Sequence, residues 1–137
     1  MIPPFINIGA TMKVLRKLIL FLLLAQSALV LAAGQPFTQS QFANLMKEGK
    51  PIIVHVHAPW CSNCKAQNSV LNLEMKSPAY KGVTFLEVDF DTQSDVLKEF
   101  NVSMQSTIIV FKQGKEVGRF TAKTKDSDIE ELTKKAL

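Results

Sequence analysis

A short β-branched run followed at once by a helical pattern constrains the fold of this chain more than any other feature. Residues 52–57 have the sequence Ile-Ile-Val-His-Val-His, which is too short for a helix and apolar enough for a strand that is buried on both faces. Residues 61–77 follow as a predicted helix, with Ala66, Val70 and Leu73 at helical spacing on its apolar side. A strand covered on both faces predicts a sheet that has helices on either side.

Strand and helix patterns alternate along the rest of the chain. Thr38 and Gln41 predict a capping box at the start of a first helix that ends at Gly49. Later strands are predicted over residues 83–89, 107–111 and 116–120, a hairpin turn at Gln113 and Gly114, and later helices after Thr92 and at a second capping box of Ser127 and Glu130. This order predicts an α/β fold in which a central mixed sheet of four to five strands is flanked by helices, with a parallel core and an antiparallel strand at one side.

Residues 1–34 are predicted to be a secretory signal peptide. Three basic residues at positions 13–17 precede an apolar run at 18–31, and the run ends in the small residues at 32–34. A membrane span needs about 20 apolar residues. This run is shorter, so we expect contact with a membrane only if the segment stays uncleaved.

We expect the mature domain to span residues 35–137 and to be exported to the periplasm or the cell exterior. Residues 1–11 carry no charge, and we interpret them as an upstream extension before a start at Met12. Three of the 16 basic residues lie before Gly34 and all 12 acidic residues lie after it. The mature domain is therefore nearly neutral, with its basic residues scattered among acids, whereas a nucleic-acid partner requires a basic face. We expect no nucleic-acid partner.

The chain contains two cysteines, Cys61 and Cys64, at the start of the predicted second helix. A disulfide between them would close too short a loop to restrain the unfolded chain, so a purely structural bridge is a weak explanation. On the first helical turn the two side chains lie on the same side, and the helix N-terminus favours a thiolate at Cys61. A Cys-x-x-Cys motif that follows a buried strand in a βαβ pattern indicates redox chemistry. We therefore predict that Cys61 is the catalytic nucleophile and that Cys64 resolves the mixed disulfide.

Two other functions remain open. Cys61 and Cys64 with either His55 or His57 would suit copper(I) or zinc, which would make this a metal-handling protein. A structural zinc site normally takes four protein ligands, and the sequence has no second cysteine pair to complete one, so we expect no metal site. The other alternative is a binding module that keeps the fold and has lost turnover.

The sequence resembles the thioredoxin family in three segments that occur in the family's order. Residues 51–65 are similar to its strand and Trp-Cys-x-x-Cys active site, residues 88–91 to the end of its next strand, and residues 107–115 to its Thr-leading strand and glycine turn. The resemblance implies the thioredoxin fold, thiol–disulfide exchange with protein thiols and disulfides, and no bound cofactor. An exported enzyme of this kind also needs a partner that supplies or accepts electrons, so we expect an unidentified membrane redox partner.

The same resemblance assigns roles to residues around the cysteines. Trp60, Gln105, Ser106 and Thr107 lie where the family binds its substrates. His55 falls where cytoplasmic thioredoxins keep a buried aspartate that handles the proton of the resolving thiol. Because histidine accepts protons near neutral pH, His55 is a candidate proton acceptor, and a plain core histidine is the alternative.

Two further departures from the family concern the reaction itself. Ser62 and Asn63 stand where thioredoxins have Gly-Pro, and this pair is one of the family's main controls on redox potential, so the direction of exchange stays open. Ser106 replaces the family's cis-proline. A cis peptide bond costs about 2.5–4 kcal/mol before a residue other than proline and about 0.5–1 kcal/mol before proline. We therefore predict a trans bond between Gln105 and Ser106 and a loop that differs in shape from that of ordinary thioredoxins.

Overall fold

The structure, a computed structural model, describes residues 34–137, in which five strands form a central sheet. The strands are β1 (Gln35–Pro36), β2 (Ile52–His57), β3 (Thr84–Asp89), β4 (Thr107–Lys112) and β5 (Lys115–Thr121). They lie in the order β1-β3-β2-β4-β5, with β3 parallel to β1 and β2, and β4 antiparallel to β2 and β5. The predicted mixed sheet with a parallel core is confirmed.

Four α-helices flank this sheet. They are α1 (Gln39–Lys47), α2 (Ser62–Met75), α3 (Ser94–Glu99) and α4 (Asp126–Thr133), with 3-10 turns at Pro78–Tyr80 and Lys134–Ala136. The α/β fold class is therefore confirmed. Within residues 34–137, no helix has the length and hydropathy to cross a membrane. The predicted signal peptide lies, apart from Gly34, outside the described residues and stays a prediction.

Local sequence sets the start of α1 and the turn between β4 and β5. Thr38 Oγ1 accepts a hydrogen bond from the Gln41 N–H at 3.3 Å, as expected of an N-cap residue. The Gln41 side chain bonds Gln35 at 2.8 Å, so only half of the predicted capping box forms. Gln113 and Gly114 have φ angles of +53° and +72°, the left-handed pair that a two-residue type I′ hairpin turn needs.

The predicted start of α4 is wrong. The helix begins at Asp126 with Lys125 as its N-cap residue, so the Ser127–Glu130 capping box does not form. Asp126 and Asp128 instead occupy the first turn, where the positive end of the helix dipole stabilises acidic side chains.

The buried side of α2 also differs from the prediction. Leu73 is 72% exposed and Ala66 is exposed as well. Cys64, Gln67 and Leu71 are the buried residues of this helix. A polar residue thus occupies the centre of the buried stripe, which is why the apolar spacing indicated the wrong side.

The two faces of the sheet carry different cores. We call the side under α1 and α3 the aromatic face, because four rings pack there with centroid distances of 5.1 to 5.8 Å: Phe37, Phe42, Phe100 and Phe111. We call the side under α2 and α4 the mixed face, because its apolar residues surround buried polar ones. The apolar residues include Ile53, Leu71, Ile108 and Ile129, and the polar ones are His55, Gln67 and Thr133.

Candidate active site

Three loops meet at the edge of the sheet that carries the cysteine pair. β2 ends beside the end of β3, where His57 pairs with Asp89, and beside the start of β4, where Val56 pairs with Thr107. The turn from β2 into α2, the loop after β3 and the loop at residues 104–107 therefore come together. The first of these loops contains Cys61, and Cys64 follows on the first turn of α2.

Cys61 is the N-cap residue of α2 and not, as predicted, a residue of its first turn. A disulfide joins it to Cys64, with 5.3 Å between the two Cα atoms. The Cys61 Sγ atom also accepts a hydrogen bond from the Cys64 N–H at 3.1 Å. After reduction, this N–H and the positive end of the helix dipole stabilise a thiolate on Cys61. The predicted nucleophile thus occupies a position that favours its reactive form.

Cys64 has different neighbours. Its Sγ atom lies 4.0 Å from the carbonyl oxygen of Val56, and a carbonyl acceptor favours a protonated thiol. Both cysteines are buried, with 4% of Cys61 and 2% of Cys64 exposed, and both pack against Ala58 and Phe90. Exposure hardly distinguishes the two sulfur atoms, so the difference between them comes from the groups that surround each one.

Two large apolar side chains are exposed at this edge of the sheet. Trp60, which precedes Cys61, is 60% exposed, and Met104 is 50% exposed. The Trp60 indole Nε1 donates a hydrogen bond to the Asp91 carboxylate at 2.9 Å, and this bond orients the ring. Sequence reasoning identified Trp60 and missed Met104 and Asp91. The available signal for Met104 was an apolar residue in a polar loop next to the predicted substrate-binding residues.

The loop at residues 104–107 contains the predicted trans bond. No peptide bond in the described part of the chain is cis, so the bond between Gln105 and Ser106 is trans and this prediction is confirmed. Ser106 has a φ angle of +57°, in the left-handed region that residues with a Cβ atom rarely adopt. The sequence did not predict this conformation.

The hydroxyl groups of Ser106 and Thr107 bond within the same loop. Ser106 Oγ donates to the Gln105 carbonyl at 2.6 Å, and Thr107 Oγ1 donates to the Met104 carbonyl at 2.8 Å. Ser106 and Thr107 are each 2% exposed, whereas Gln105 is half-buried. Trp60 and Gln105 therefore offer side-chain surface to a substrate, and contact of the other two residues with substrate stays a prediction.

His55 is fully buried and bonds Gln67, a residue that sequence reasoning missed. The Gln67 amide nitrogen donates to the carbonyl oxygens of Ser106 at 3.0 Å and Lys123 at 2.8 Å. This orientation turns Gln67 Oε1 toward the imidazole, 2.9 Å from His55 Nε2. Because an amide oxygen only accepts, we assign the imidazole proton to Nε2. His55 Nδ1 has no partner among residues 34–137.

The surroundings of His55 keep it uncharged. Burial lowers the pKa of His55 from 6.5 to about 4, against the hydrogen bond to Gln67, which raises the pKa. The His57 ring, stacked at 5.9 Å, lowers the pKa further. The imidazole is therefore neutral at pH 7, which is the form that a proton acceptor needs. A pKa near 4 also makes it a weak base, and its role as acceptor stays a prediction.

A metal site would need a third ligand beside the two cysteines. Among the residues that the structure describes, no group of three or more His, Cys, Asp and Glu side chains is arranged to hold a metal ion. His55 uses its Nε2 to bond Gln67, and His57 stacks on His55. The arrangement therefore gives no support to the metal-handling alternative.

Comparisons with known proteins agree with the geometry of the site. The thioredoxin family model matches residues 34–135. The thioredoxin of Chlamydia trachomatis is 36% identical over 101 residues, which cover 73% of this chain and 96% of that protein. Thioredoxin H2 of Arabidopsis thaliana is 32% identical over 97 residues, which cover 71% of this chain and 68% of that protein. The crystal structure of Trxlp from Edwardsiella tarda is similar with a TM-score of 0.68 and 36% identity, over 71% of this chain and 95% of that one.

Proposed function

This chain belongs to the thioredoxin family and is a thiol–disulfide oxidoreductase with a Cys-x-x-Cys pair, and on that premise we propose that it exchanges disulfides with protein substrates outside the cytoplasm. The observation that carries the proposal is the hydrogen bond from the Cys64 N–H to Cys61 Sγ at 3.1 Å. It gives the two cysteines unequal environments, which a two-step exchange requires.

The exchange proceeds through one mixed disulfide. In the reductive direction, the Cys61 thiolate attacks a sulfur of the substrate disulfide, the substrate S–S bond breaks, and one substrate thiolate leaves and takes up a proton. Cys64 then loses its proton and attacks the Cys61 sulfur, which breaks the mixed disulfide and releases the second substrate thiolate. Two electrons pass from the dithiol to the substrate, and the same steps in reverse oxidise a substrate dithiol.

The surface around the cysteines is suited to binding a polypeptide substrate. Trp60 and Met104 expose 60% and 50% of their surface at this edge, and aromatic and methionine side chains are common in protein-binding surfaces. The main-chain N–H of Gln105 pairs with no other main-chain group within residues 34–137, so this donor remains for an extended substrate segment. A small disulfide would use neither feature.

His55 is the proposed proton acceptor for the resolving step. Its imidazole is neutral at pH 7, because burial lowers its pKa to about 4, and its Nδ1 lone pair has no partner among the described residues. A neutral buried base can accept the proton of the Cys64 thiol, and before that transfer it places no charge in the apolar interior.

Trapping of mixed disulfides tests the division of labour between the cysteines. Cys64→Ser removes the resolving thiol, so covalent complexes with substrates should accumulate and should be released by a reductant. Cys61→Ser is the matched control and should accumulate few or none, because the buried Cys64 lacks a thiolate-stabilising donor. Non-reducing gels measure both. Stronger trapping by Cys61→Ser would reverse the assignment, and a wild-type protein that neither reduces nor oxidises disulfides would favour the binding-module alternative.

The extracytoplasmic location rests on the order of basic, apolar and small segments in residues 13–34. The mature protein should begin between Ala33 and Gln35 in the periplasm or the medium, and an unidentified membrane partner should exchange electrons with it. Mass spectrometry of the protein from its native host measures the N-terminus. An intact leader on protein in the soluble cytosol would contradict the proposal.

A further inference from the structure

We infer that Gln67 is a positioning residue for disulfide exchange: its buried amide holds the loop at residues 104–107 and the imidazole of His55 in fixed relation to the cysteines. The inference rests on the proposed exchange with protein substrates. It concerns a residue on the same helix as Cys64, one turn farther from the site.

Both polar atoms of the Gln67 side chain have hydrogen-bond partners. The residue is fully buried, and its amide nitrogen donates to the carbonyl oxygens of Ser106 at 3.0 Å and Lys123 at 2.8 Å. Its Oε1 atom faces His55 Nε2 at 2.9 Å. A buried amide is unfavourable unless it is hydrogen-bonded. The three partners come from separate parts of the chain, so Gln67 ties β2, the 104–107 loop and the segment after β5 to α2.

The two loops that Gln67 bonds hold unusual backbone conformations. Ser106 and Ala122 have φ angles of +57° and +63°, and neither is glycine. The Ala122 N–H donates to the Ser106 carbonyl at 2.9 Å, the same oxygen that accepts from Gln67. Left-handed residues with a Cβ atom persist only where the surrounding structure holds them. The amide of Gln67 bonds both segments at once, through the carbonyls of Ser106 and of Lys123, which follows Ala122.

The position of the loop matters for the reaction because it borders the cysteine pair. Gln67 lies three residues after Cys64 on a continuous helix, so any loop bonded to Gln67 is set at a fixed distance from the sulfur atoms. Without the amide, the carbonyls of Ser106 and Lys123 lose a donor, and the loop is free to leave its left-handed conformation. His55 also loses the acceptor that fixes its proton on Nε2.

The test compares a large and a small substrate for the variant Gln67→Met, which keeps the length of the side chain and removes its hydrogen bonds. We expect kcat/KM for the disulfides of insulin to fall about tenfold, mainly through KM, because the docking loop is displaced. The rate with hydroxyethyl disulfide should fall much less, since that substrate needs no docking loop and is affected only through His55. Ser69→Ala is the control, because Ser69 is exposed and bonds only within α2, to the Lys65 carbonyl at 3.1 Å; it should change neither rate.

A spectroscopic measurement separates positioning from a general loss of structure. In the wild-type protein, the nitrogen NMR shifts of His55 should show the proton on Nε2, and in Gln67→Met they should show a mixture of tautomers. If Gln67→Met does not fold, the double variant Gln67→Met with Ala122→Gly relieves the strain at Ala122 and takes its place. Equal losses with both substrates, or no loss with either, would overturn the inference.

The outcome also distinguishes this inference from the proposed function. A wild-type protein that reacts with hydroxyethyl disulfide and not with insulin would refute the protein-substrate proposal. The assignment to Gln67 would then be judged by NMR alone: altered shifts of Ser106 and of the His55 ring in Gln67→Met would support it, and unchanged shifts would overturn it.

Discussion

The aromatic face of the sheet contains a cluster of four packed phenylalanine rings, whereas the mixed face buries two hydrogen-bonded polar networks among its aliphatic residues. The first network joins His55 and Gln67 to the loops beside the cysteines. The second lies farther along α2, where Thr133 donates to the Glu74 carboxylate at 2.8 Å and lies 3.0 Å from the Tyr80 hydroxyl. Burial raises the pKa of that carboxyl group.

The difference indicates how stability and function are divided in this protein. Apolar rings are stabilising wherever they pack, and they specify little about the position of a particular atom. Buried polar groups contribute less net stability and are strongly destabilising when one partner is lost, but they fix geometry. The helix that carries Cys64 lies over the mixed face. The aromatic face should therefore govern mainly how stable the fold is, and the mixed face how the active site is arranged.

The largest expected effect tests the aromatic face. Phe42 is 6% exposed, and its ring lies 5.1 to 5.4 Å from the rings of Phe37, Phe100 and Phe111. Phe42→Ala should lower the free energy of unfolding by about 3–5 kcal/mol, because it removes a buried ring and leaves a cavity. Denaturant titration measures the loss.

A matched control for Phe42 comes from the surface of α2. Leu73 is 72% exposed, so Leu73→Ala should change the free energy of unfolding by less than about 0.5 kcal/mol. Under conditions where Phe42→Ala is fully folded, its rate with hydroxyethyl disulfide should equal that of the wild-type protein. A slower rate would show that the aromatic face also shapes the active site, and the comparison of the two faces would fail.

The second expected effect is an acid sensitivity that originates in the mixed face. The pKa of His55 is about 4 in the folded protein and 6.5 in the unfolded one. Between these values the unfolded state binds more protons, so stability is retained above pH 6.5 and is lost as the pH falls toward 4. This difference in the pKa of His55 corresponds to about 3 kcal/mol of the free energy of unfolding.

The variant His55→Gln isolates this contribution, because it removes the titrating group and keeps a polar side chain beside Gln67. Its free energy of unfolding should fall less steeply between pH 6.5 and 4 than that of the wild-type protein. The titratable residues beside His55 are His57, whose ring stacks on it at 5.9 Å, and Glu87, its pairing partner on β3. Because His57 lowers the pKa of His55 less than burial does, His57→Gln is the comparison variant and should reduce the slope by less than His55→Gln does. Identical slopes for His55→Gln and the wild type would show that His55 titrates normally.

Much of the fold follows from local sequence patterns. The run at Ile52–His57 specifies a strand covered on both faces, and the placement of Cys61 after it identifies the reactive pair. The trans bond at Ser106 follows from the energy of cis peptides. These features depend on residues close together in the chain, and a sequence shows such relations directly.

The features that escaped prediction depend on contacts between distant residues. Gln67 bonds carbonyls 39 and 56 residues away, and nothing in its own segment marks it as buried. The left-handed conformation of Ser106 has the same origin, because serine has no intrinsic preference for it. The start of α4 was wrong for a different reason: Lys125 adopts an extended conformation at the N-cap position without a side-chain hydrogen bond, so the sequence carries no capping signal there.

The smallest expected effect concerns strain at the edge of the mixed face. Ala122 is exposed and has a φ angle of +63°, a conformation that costs a residue with a Cβ atom about 1–2 kcal/mol. Glycine adopts it freely but loses about 0.4–1 kcal/mol more conformational entropy on folding. Ala122→Gly should therefore raise the free energy of unfolding by about 0.5 kcal/mol.

Ala43, exposed in the middle of α1, provides the matched control. Ala43→Gly should lower the free energy of unfolding by about 1 kcal/mol, because glycine is a poor helix former. The urea midpoints of the two variants should shift in opposite directions. If both variants are destabilised equally, the left-handed loop stores no strain. The mixed face would then differ from the aromatic face only in composition.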